Sequence, residues 1–166
     1  GTGFEFGTKN NEIHSNQFYL NKEGKQFTEA SSEFGLEDYV NTSSYTYVDF
    51  DLDGDLDIVT DAILSSPRVY KNDTNTNTHI SFSMRDHQGN SACIGCKVFI
   101  FYDDGGKQVR ELKLSGGFQS YDENVAHFGL GSHEAVTRVV IQWSTGETTQ
   151  LDHAFPANHR YIITRR

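Results

Sequence analysis

The feature that most constrains this sequence is an acidic stretch, Asp49–Asp57, which has a carboxylate at every second position. Like charges about 4–6 Å apart repel by on the order of 1 kcal/mol per pair even when well solvated, unless a cation lies among them. In a loop that wraps around a cation, side chains at alternate positions converge, and a glycine after the third of them permits the sharp turn. Because Gly54 holds that place, the stretch is interpreted as a metal-binding loop. The alternative is an acidic turn exposed to solvent, which would not need this spacing.

The predicted ligands of this loop are all oxygen atoms. They are, in order, the carboxylates of Asp49, Asp51 and Asp53, the main-chain carbonyl of Asp55 and the carboxylate of Asp57. Oxygen donors suit a hard cation, so calcium is the first choice and magnesium the poorer one. A helical EF-hand is not expected, because Thr60 stands where that motif needs a bidentate glutamate and because the flanking residues are typical of strands.

Composition favours an all-β fold with many turns. Aromatic residues make up 13% of the 166 residues, glycine occurs 15 times, and proline and methionine are scarce. The net charge of −9 argues against nucleic acid and anionic membrane surfaces as partners, because both attract clustered Lys and Arg. No apolar run approaches the ~18 residues of a membrane span, so no membrane insertion is expected. The chain begins without an initiator Met or a signal peptide, and we expect it to be a processed product or a fragment.

The first half of the chain contains the elements of one sheet. Two strand-like pieces, 17–20 and 26–29, flank a polar turn, and further strands precede and follow the acidic loop and occupy 68–71. Over about residues 15–73 this order resembles an FG-GAP/VCBS repeat, the blade unit of calcium-binding β-propellers. The resemblance implies that the acidic loop joins two strands of a blade and binds calcium.

The second half begins after a polar segment, 72–78, which we take as the domain junction. It separates a blade-like domain, 1–74, from a second domain, 79–166. Seven strand candidates follow at short spacing and predict a β-sandwich, Ig-like, or a small barrel. They are 79–85, 97–103, 107–114, 126–129, 136–143, 147–152 and 160–165.

Four motifs in this second half resemble the ASPIC/UnbV domain, which is found at the end of propeller-containing secreted proteins of the cartilage acidic protein type. They are Ile94-Gly-Cys-Lys-Val98, Gly117-Phe-Gln-Ser120, His127-Phe-Gly-Leu-Gly131 and Val140-Ile-Gln-Trp-Ser-Thr-Gly146. The resemblance extends over 79–166, and the order of the two modules also fits. Ser144 stands where the family often has proline. The resemblance implies a secreted, extracellular protein.

Cys93 and Cys96 are the two cysteines of the chain. A zinc site would need a second pair of ligands close in sequence, and the sequence offers none. A thioredoxin-like pair would precede a helix, whereas this pair leads into a strand. From the residues alone, two alternatives stay open: a disulfide or two buried thiols. The resemblance to a secreted family, together with the even number of cysteines, favours the disulfide.

Two further patterns bear on an extracellular location and on catalysis. Asn41 and Asn72 each begin an Asn-x-Ser/Thr triplet, the acceptor pattern for N-glycosylation.

Seven histidines are scattered without the spacing of a local metal site, and His127 is interpreted as a packing residue. No nucleophile elbow, phosphate-binding loop or dinucleotide motif occurs, so we expect no enzyme. The alternative is a polysaccharide hydrolase or a carbohydrate-binding module. A hydrolase needs two carboxylates that face one cleft, and the fold rather than the sequence spacing decides whether such a pair exists.

The function expected from these patterns is that of an extracellular calcium-binding structural or adhesion protein, with a protein or glycan partner. A β-propeller closes with about 4–8 blades, whereas residues 1–73 supply about one. A lone blade leaves strand edges unpaired, unless the chain is a fragment of a longer propeller or the blade packs on the second domain. We expect self-association by strand addition, in which residues 1–20 of one copy pair with a neighbour's edge and build oligomers or a filament.

Overall fold

The computed structural model describes residues 15–74, 76–86 and 89–165. Within these residues every regular element is a strand, as predicted, and none is a helix long and apolar enough to cross a membrane. The chain divides into two compact units. Unit 1 contains the described part of 1–48 with Asp57–Asn72 and Ser115–Tyr121, and unit 2 contains Asp49–Leu56, Asp73–Leu114 and Asp122–Arg166 as far as they are described.

The described residues of unit 1 form five strands in two antiparallel sheets. They are β1 (Tyr19–Lys22), β2 (Gln26–Glu29), β3 (Thr42–Val48), β4 (Asp57–Ala62) and β5 (Arg68–Tyr70). The predicted hairpin is present, since β1 pairs with β2 and the turn has positive φ at Glu23 and Gly24. The amide of Gly24 donates to the Asn21 side chain over 2.9 Å, which stabilises this turn.

The second sheet of unit 1 has the order β3-β4-β5. Threonine, tyrosine and valine supply much of it, which is the composition expected of strands. Val48 pairs with Asp57, so the two residues that flank the segment 49–56 are direct neighbours across the sheet. The acidic segment is therefore a loop that leaves the end of one strand and returns at the start of the next.

In the part of unit 2 that the structure describes there are nine strands. They are β6 (Thr78–Arg85), β7 (Lys97–Phe101), β8 (Lys107–Glu111), β9 (Ala126–Gly131), β10 (Ala135–Val136), β11 (Arg138–Gln142), β12 (Thr148–Leu151), β13 (Phe155–Pro156) and β14 (His159–Thr164). One sheet has the order β12-β11-β7-β8, a second has the order β14-β6-β9, and β10 pairs with β13. Strand β14 runs parallel to β6, while the other pairs are antiparallel.

The core of unit 2 is formed by alternate residues of both larger sheets. Fully buried side chains come from β6 and β9 in one sheet and from β7 and β11 in the other. They include Ile80, Phe82, Val98, Ile100, Phe128, Val139 and Ile141. Burying each such side chain stabilises the fold by about 1.5–3 kcal/mol. The predicted β-sandwich is confirmed, and no sheet of the described residues closes into a barrel.

Each of the two units is built from several separate segments of the chain. The chain passes from unit 1 to unit 2 after Asn72. The acidic loop 49–56, which lies in the predicted first domain, packs with unit 2, and the segment 115–121, from the predicted second domain, packs with unit 1. Contacts between residues distant in sequence determine this exchange.

Cys93 and Cys96 form a disulfide at the turn before β7, with their Cα atoms 5.4 Å apart. Both are fully buried in the core of unit 2. The Asn90 side chain accepts from the amide of Ile94 and donates to its carbonyl, over 2.9 and 2.8 Å, so hydrogen bonds also hold the turn. Of the two alternatives left by the sequence, the structure contains the disulfide.

Candidate metal centre

Three predicted ligands converge in the acidic loop. Asp49, Asp51 and Asp53 each place a carboxylate oxygen within 4.8 Å of the other two. Asp49 is half-buried, while Asp51 and Asp53 are exposed. Strict alternation along an extended strand would not bring them together, so the convergence requires the chain to curl.

Hydrogen bonds inside the loop account for this curl. The amide of Gly54 donates to the Asp49 carboxylate over 3.3 Å, and the amide of Asp55 donates to the Asp53 carboxylate over 3.0 Å. The amide of Asp53 makes a longer contact, 3.4 Å, with the carboxylate of Asp51. Aspartate forms such turns readily because its short side chain reaches the backbone two residues on. A carboxylate has about four acceptor sites, so these bonds leave capacity for a cation.

Two residues of the loop have left-handed backbone. Gly54 has φ of 96°, which glycine adopts without steric cost. Leu52 has φ of 62° and an exposed side chain. An L-residue in this region costs about 1–2 kcal/mol, so the rest of the loop must hold Leu52 there.

The loop lies on the outer face of the β14-β6-β9 sheet. On β9, Ala126 and Phe128 point into the core and His127 points outward. The carbonyl of Gly54 lies 2.7 Å from His127 Nε2, and because a carbonyl can only accept, this nitrogen carries the proton. The rings of His79 and His127 stack, with centroids 5.9 Å apart and planes 8° from parallel.

His79 also explains why residue 54 has no side chain. A Cβ atom built on Gly54 would overlap the imidazole ring of His79. The backbone of His79 is held in turn by Asn158, whose side-chain oxygen accepts from the amide of His79 over 3.2 Å. We call His79 and His127 together the histidine platform.

Burial, and secondarily the charges of the loop, shift the pKa values of Asp55 and His79. Burial raises the pKa of Asp55, and the neighbouring Asp53 and Asp49 raise it further, while His79 and His127 oppose this effect. Burial lowers the pKa of His79, and His127 lowers it further, while the carboxylates of Asp49, Asp55 and Asp53 raise it. The carboxylates therefore repel one another in this geometry, and a cation among them would offset that repulsion.

The other two predicted ligands have different surroundings. Asp55 follows Gly54 and lines a groove of about 510 Å³ beside the loop, together with Asp49, Asp53 and His79. Asp57 is the first residue of β4 in unit 1, is 1% exposed, and accepts a 2.8 Å hydrogen bond from the amide of Asn72. The described cluster contains Asp49, Asp51 and Asp53, and the roles of the Asp55 carbonyl and of Asp57 stay predictions.

The donor set fits calcium. Calcium takes about 6–8 oxygen ligands in flexible geometry, and carboxylates bind it singly or in pairs of oxygens. Three converging carboxylates supply part of that number, and the open groove gives water access to the remaining positions. No sulfur or imidazole nitrogen belongs to the described cluster, which argues against zinc or copper there.

The predicted glycosylation residues lie outside this site. Asn41 is exposed immediately before β3, and Asn72 is half-buried just after β5. Neither contributes to the acidic cluster.

The sequence reasoning missed the contact between the loop and the histidine platform. One signal was present in Ala126–Gly131, where apolar residues alternate with His127, Gly129 and Gly131. Such alternation places a histidine on the face opposite the core, beside two residues without side chains. Only the strand pairing shows that His79 on β6 lies on the same face, one step diagonally from His127.

Comparison with known proteins finds a family resemblance for the C-terminal half of the chain. Residues 86–166 match the family described as ASPIC and UnbV. The C-terminal part of the chain is thus similar to an ASPIC/UnbV domain, in agreement with the motifs in the sequence. No curated protein sequence matches the chain.

Proposed function

We propose that this chain is an extracellular calcium-binding structural or adhesion module, in which an FG-GAP/VCBS-type loop is combined with an ASPIC/UnbV domain. The observation that carries the proposal is the convergence of Asp49, Asp51 and Asp53 to within 4.8 Å of one another. Calcium supplies the positive charge that lets these carboxylates remain together. The carbonyl of Asp55 and the carboxylate of Asp57 complete its ligands in this proposal.

The extracellular setting is supported by the disulfide in unit 2 and by a glycosylation triplet in unit 1. A disulfide such as Cys93–Cys96 persists in oxidising compartments, and Asn41 is exposed within a glycosylation triplet. Extracellular calcium modules bind their ion at about 10⁻⁴–10⁻³ M, where calcium is abundant outside cells. We propose a structural role for the ion, since at extracellular calcium concentrations it would be bound most of the time and would stabilise the fold.

Self-association is proposed for unit 1. In its sheet β5 is an outer strand, with Val69 57% exposed, and in its hairpin β2 carries Phe27, 66% exposed. Strand edges next to exposed apolar side chains favour the addition of a strand from another chain. The predicted donor is residues 1–20 of a neighbouring copy, of which 1–14 lie outside the described residues. A partner protein or a glycan would bind such an assembly, and we propose no catalytic role.

Calcium titration of the full chain tests this function. Isothermal calorimetry with wild type, Asp51→Asn and Asp53→Asn measures binding, and Asp103→Asn is the matched control because it removes one negative charge from an exposed turn. We expect saturable binding by wild type and by the control, and binding weakened at least tenfold in the two loop variants, since each loses a charged ligand. Absence of saturable binding by wild type at millimolar calcium would overturn the proposal.

Light scattering at micromolar concentration tests the assembly. We expect particles larger than a monomer in calcium, and monomers after deletion of residues 1–15. A monomeric wild type, unchanged by that deletion, contradicts self-association without affecting the calcium site.

A further inference from the structure

The outer face of the β14-β6-β9 sheet is shaped to receive the acidic loop. On β9, Gly129 and Gly131 lie on the same face as His127, opposite the core residues. Because glycine has no side chain, few atoms project from this face around the imidazole. Gly129 lies directly opposite His79 on β6, and Ser81 lies opposite His127. Because these neighbours are small, the two rings can stack on each other and contact the loop at Gly54.

The loop contacts this face at Gly54. Gly54 follows the three converging carboxylates and donates its amide to Asp49, while its carbonyl accepts from His127. The peptide groups on the two sides of Gly54 are thus held by different partners, one inside the loop and one on β9. The imidazole of His79 fills the space where a side chain would otherwise stand.

We propose that His127, supported by His79, is a positioning residue for the calcium loop, so that a residue of the ASPIC/UnbV-like segment 86–166 determines the calcium affinity of an FG-GAP/VCBS-type loop. This inference rests on the proposed calcium function. By donating Nε2–H to the Gly54 carbonyl, His127 holds the turn in which Asp49, Asp51 and Asp53 converge. The loop then pays less ordering entropy when the ion binds.

Linkage makes this coupling reciprocal. If the platform raises calcium affinity, calcium must stabilise the docking of the loop on β6 and β9 by the same factor. Calcium therefore protects this sheet of unit 2, although its ligands lie in a segment that connects two strands of unit 1.

Three histidine variants of the full chain test the proposal. His127→Phe keeps a ring of similar size and removes the donor. His127→Gln places an amide N–H near the position of Nε2 and should restore the bond. His133→Phe is the matched control, because His133 is also half-buried and stacked on an aromatic ring, and its side chain contacts Tyr102, Asp103 and Asp104.

Calorimetry gives the first readout. We expect calcium to bind His127→Phe about tenfold more weakly or worse, as for other groups that orient metal ligands. His127→Gln should recover most of the affinity, and His133→Phe should bind like wild type. Equal affinities for wild type and His127→Phe overturn the proposal while leaving the calcium function intact, whereas a wild type without calcium binding contradicts the function itself.

Amide hydrogen exchange in EGTA gives a second readout that needs no metal. We expect faster exchange at Gly54 and Asp55 in His127→Phe than in wild type, near wild-type rates in His127→Gln, and unchanged rates in β7 and β11. If His127→Phe fails to fold, His79→Ala is used instead, because it removes the ring beside Gly54 and should also raise exchange in the loop. Wild-type exchange at Gly54 and Asp55 in the folded variant overturns the positioning role.

Discussion

Units 1 and 2 are built from similar strand-forming residues, but they bury them to very different extents. In unit 1 the buried apolar residues of the described part are Ala30 and Ala62, and all four residues of β1 and of β2 are exposed. In unit 2 two sheets share a core of aromatic and branched side chains. Strand composition therefore does not by itself create a core, because burial needs a second layer to pack against. The predictions below test this contrast.

The largest effect is expected from Phe128→Ala in the core of unit 2. Phe128 is fully buried beside Phe82, so its loss should reduce the free energy of unfolding by about 3–5 kcal/mol. Urea unfolding followed by the fluorescence of Trp143 measures this, because Trp143 is the single tryptophan and lies in the same core. Phe27→Ala, at a residue 66% exposed in unit 1, is the control and should change stability by no more than about 0.5 kcal/mol. Similar losses for both variants would remove the contrast between the units.

Gly54→Ala should be the next most damaging change. The new Cβ would overlap the ring of His79 at a residue whose φ is 96°, so the loop must move, at a cost of about 2–3 kcal/mol. Gly24→Ala is the matched control, because Gly24 also has positive φ, 70°, but no atom lies within 4 Å of its Cβ position. It should cost about 1 kcal/mol, from backbone strain alone. Calorimetric melting compares the two, and equal costs would mean that the contact with His79 is unimportant.

Removing the disulfide should have a smaller effect. The bond closes a very short loop, so the double substitution Cys93→Ala and Cys96→Ala should lower stability by about 2 kcal/mol through the unfolded chain. The same Trp143 fluorescence reports it, since both cysteines lie in that core. Intact mass after alkylation under denaturing conditions, without reduction, checks the bond directly. Modification of both cysteines in that experiment would show free thiols.

Chelation of calcium should give the smallest change. With a dissociation constant of about 10⁻⁴–10⁻³ M, about 2 mM calcium stabilises the protein by roughly 0.7–1.8 kcal/mol. We expect a higher melting temperature in calcium than in EGTA for wild type, and no difference for Asp53→Asn. Identical curves for wild type in the two conditions would count against a calcium site in the loop.

Much of the local structure was determined by the sequence. The β-branched and aromatic residues of 97–101 and 138–142 favour strands, and the polar, glycine-containing residues around Glu23 and Gly24 favour a hairpin turn, because both preferences depend on neighbouring residues. The spacing of Asp49, Asp51 and Asp53 before Gly54 likewise indicates a curled loop, since its hydrogen bonds join residues close in sequence. The short separation of Cys93 and Cys96 left two states open, of which the structure contains one.

Only the tertiary structure decided where the acidic loop packs. The sequence places this loop inside a blade-like first half, yet it packs with unit 2, against histidines from β6 and β9. His79 and His127 come together through the pairing of two strands, and no local period encodes that pairing. The reason is physical: hydrogen-bonded turns and side-chain alternation are fixed within a few residues, whereas the packing of one element on another depends on shape and charge contributed by distant parts of the chain.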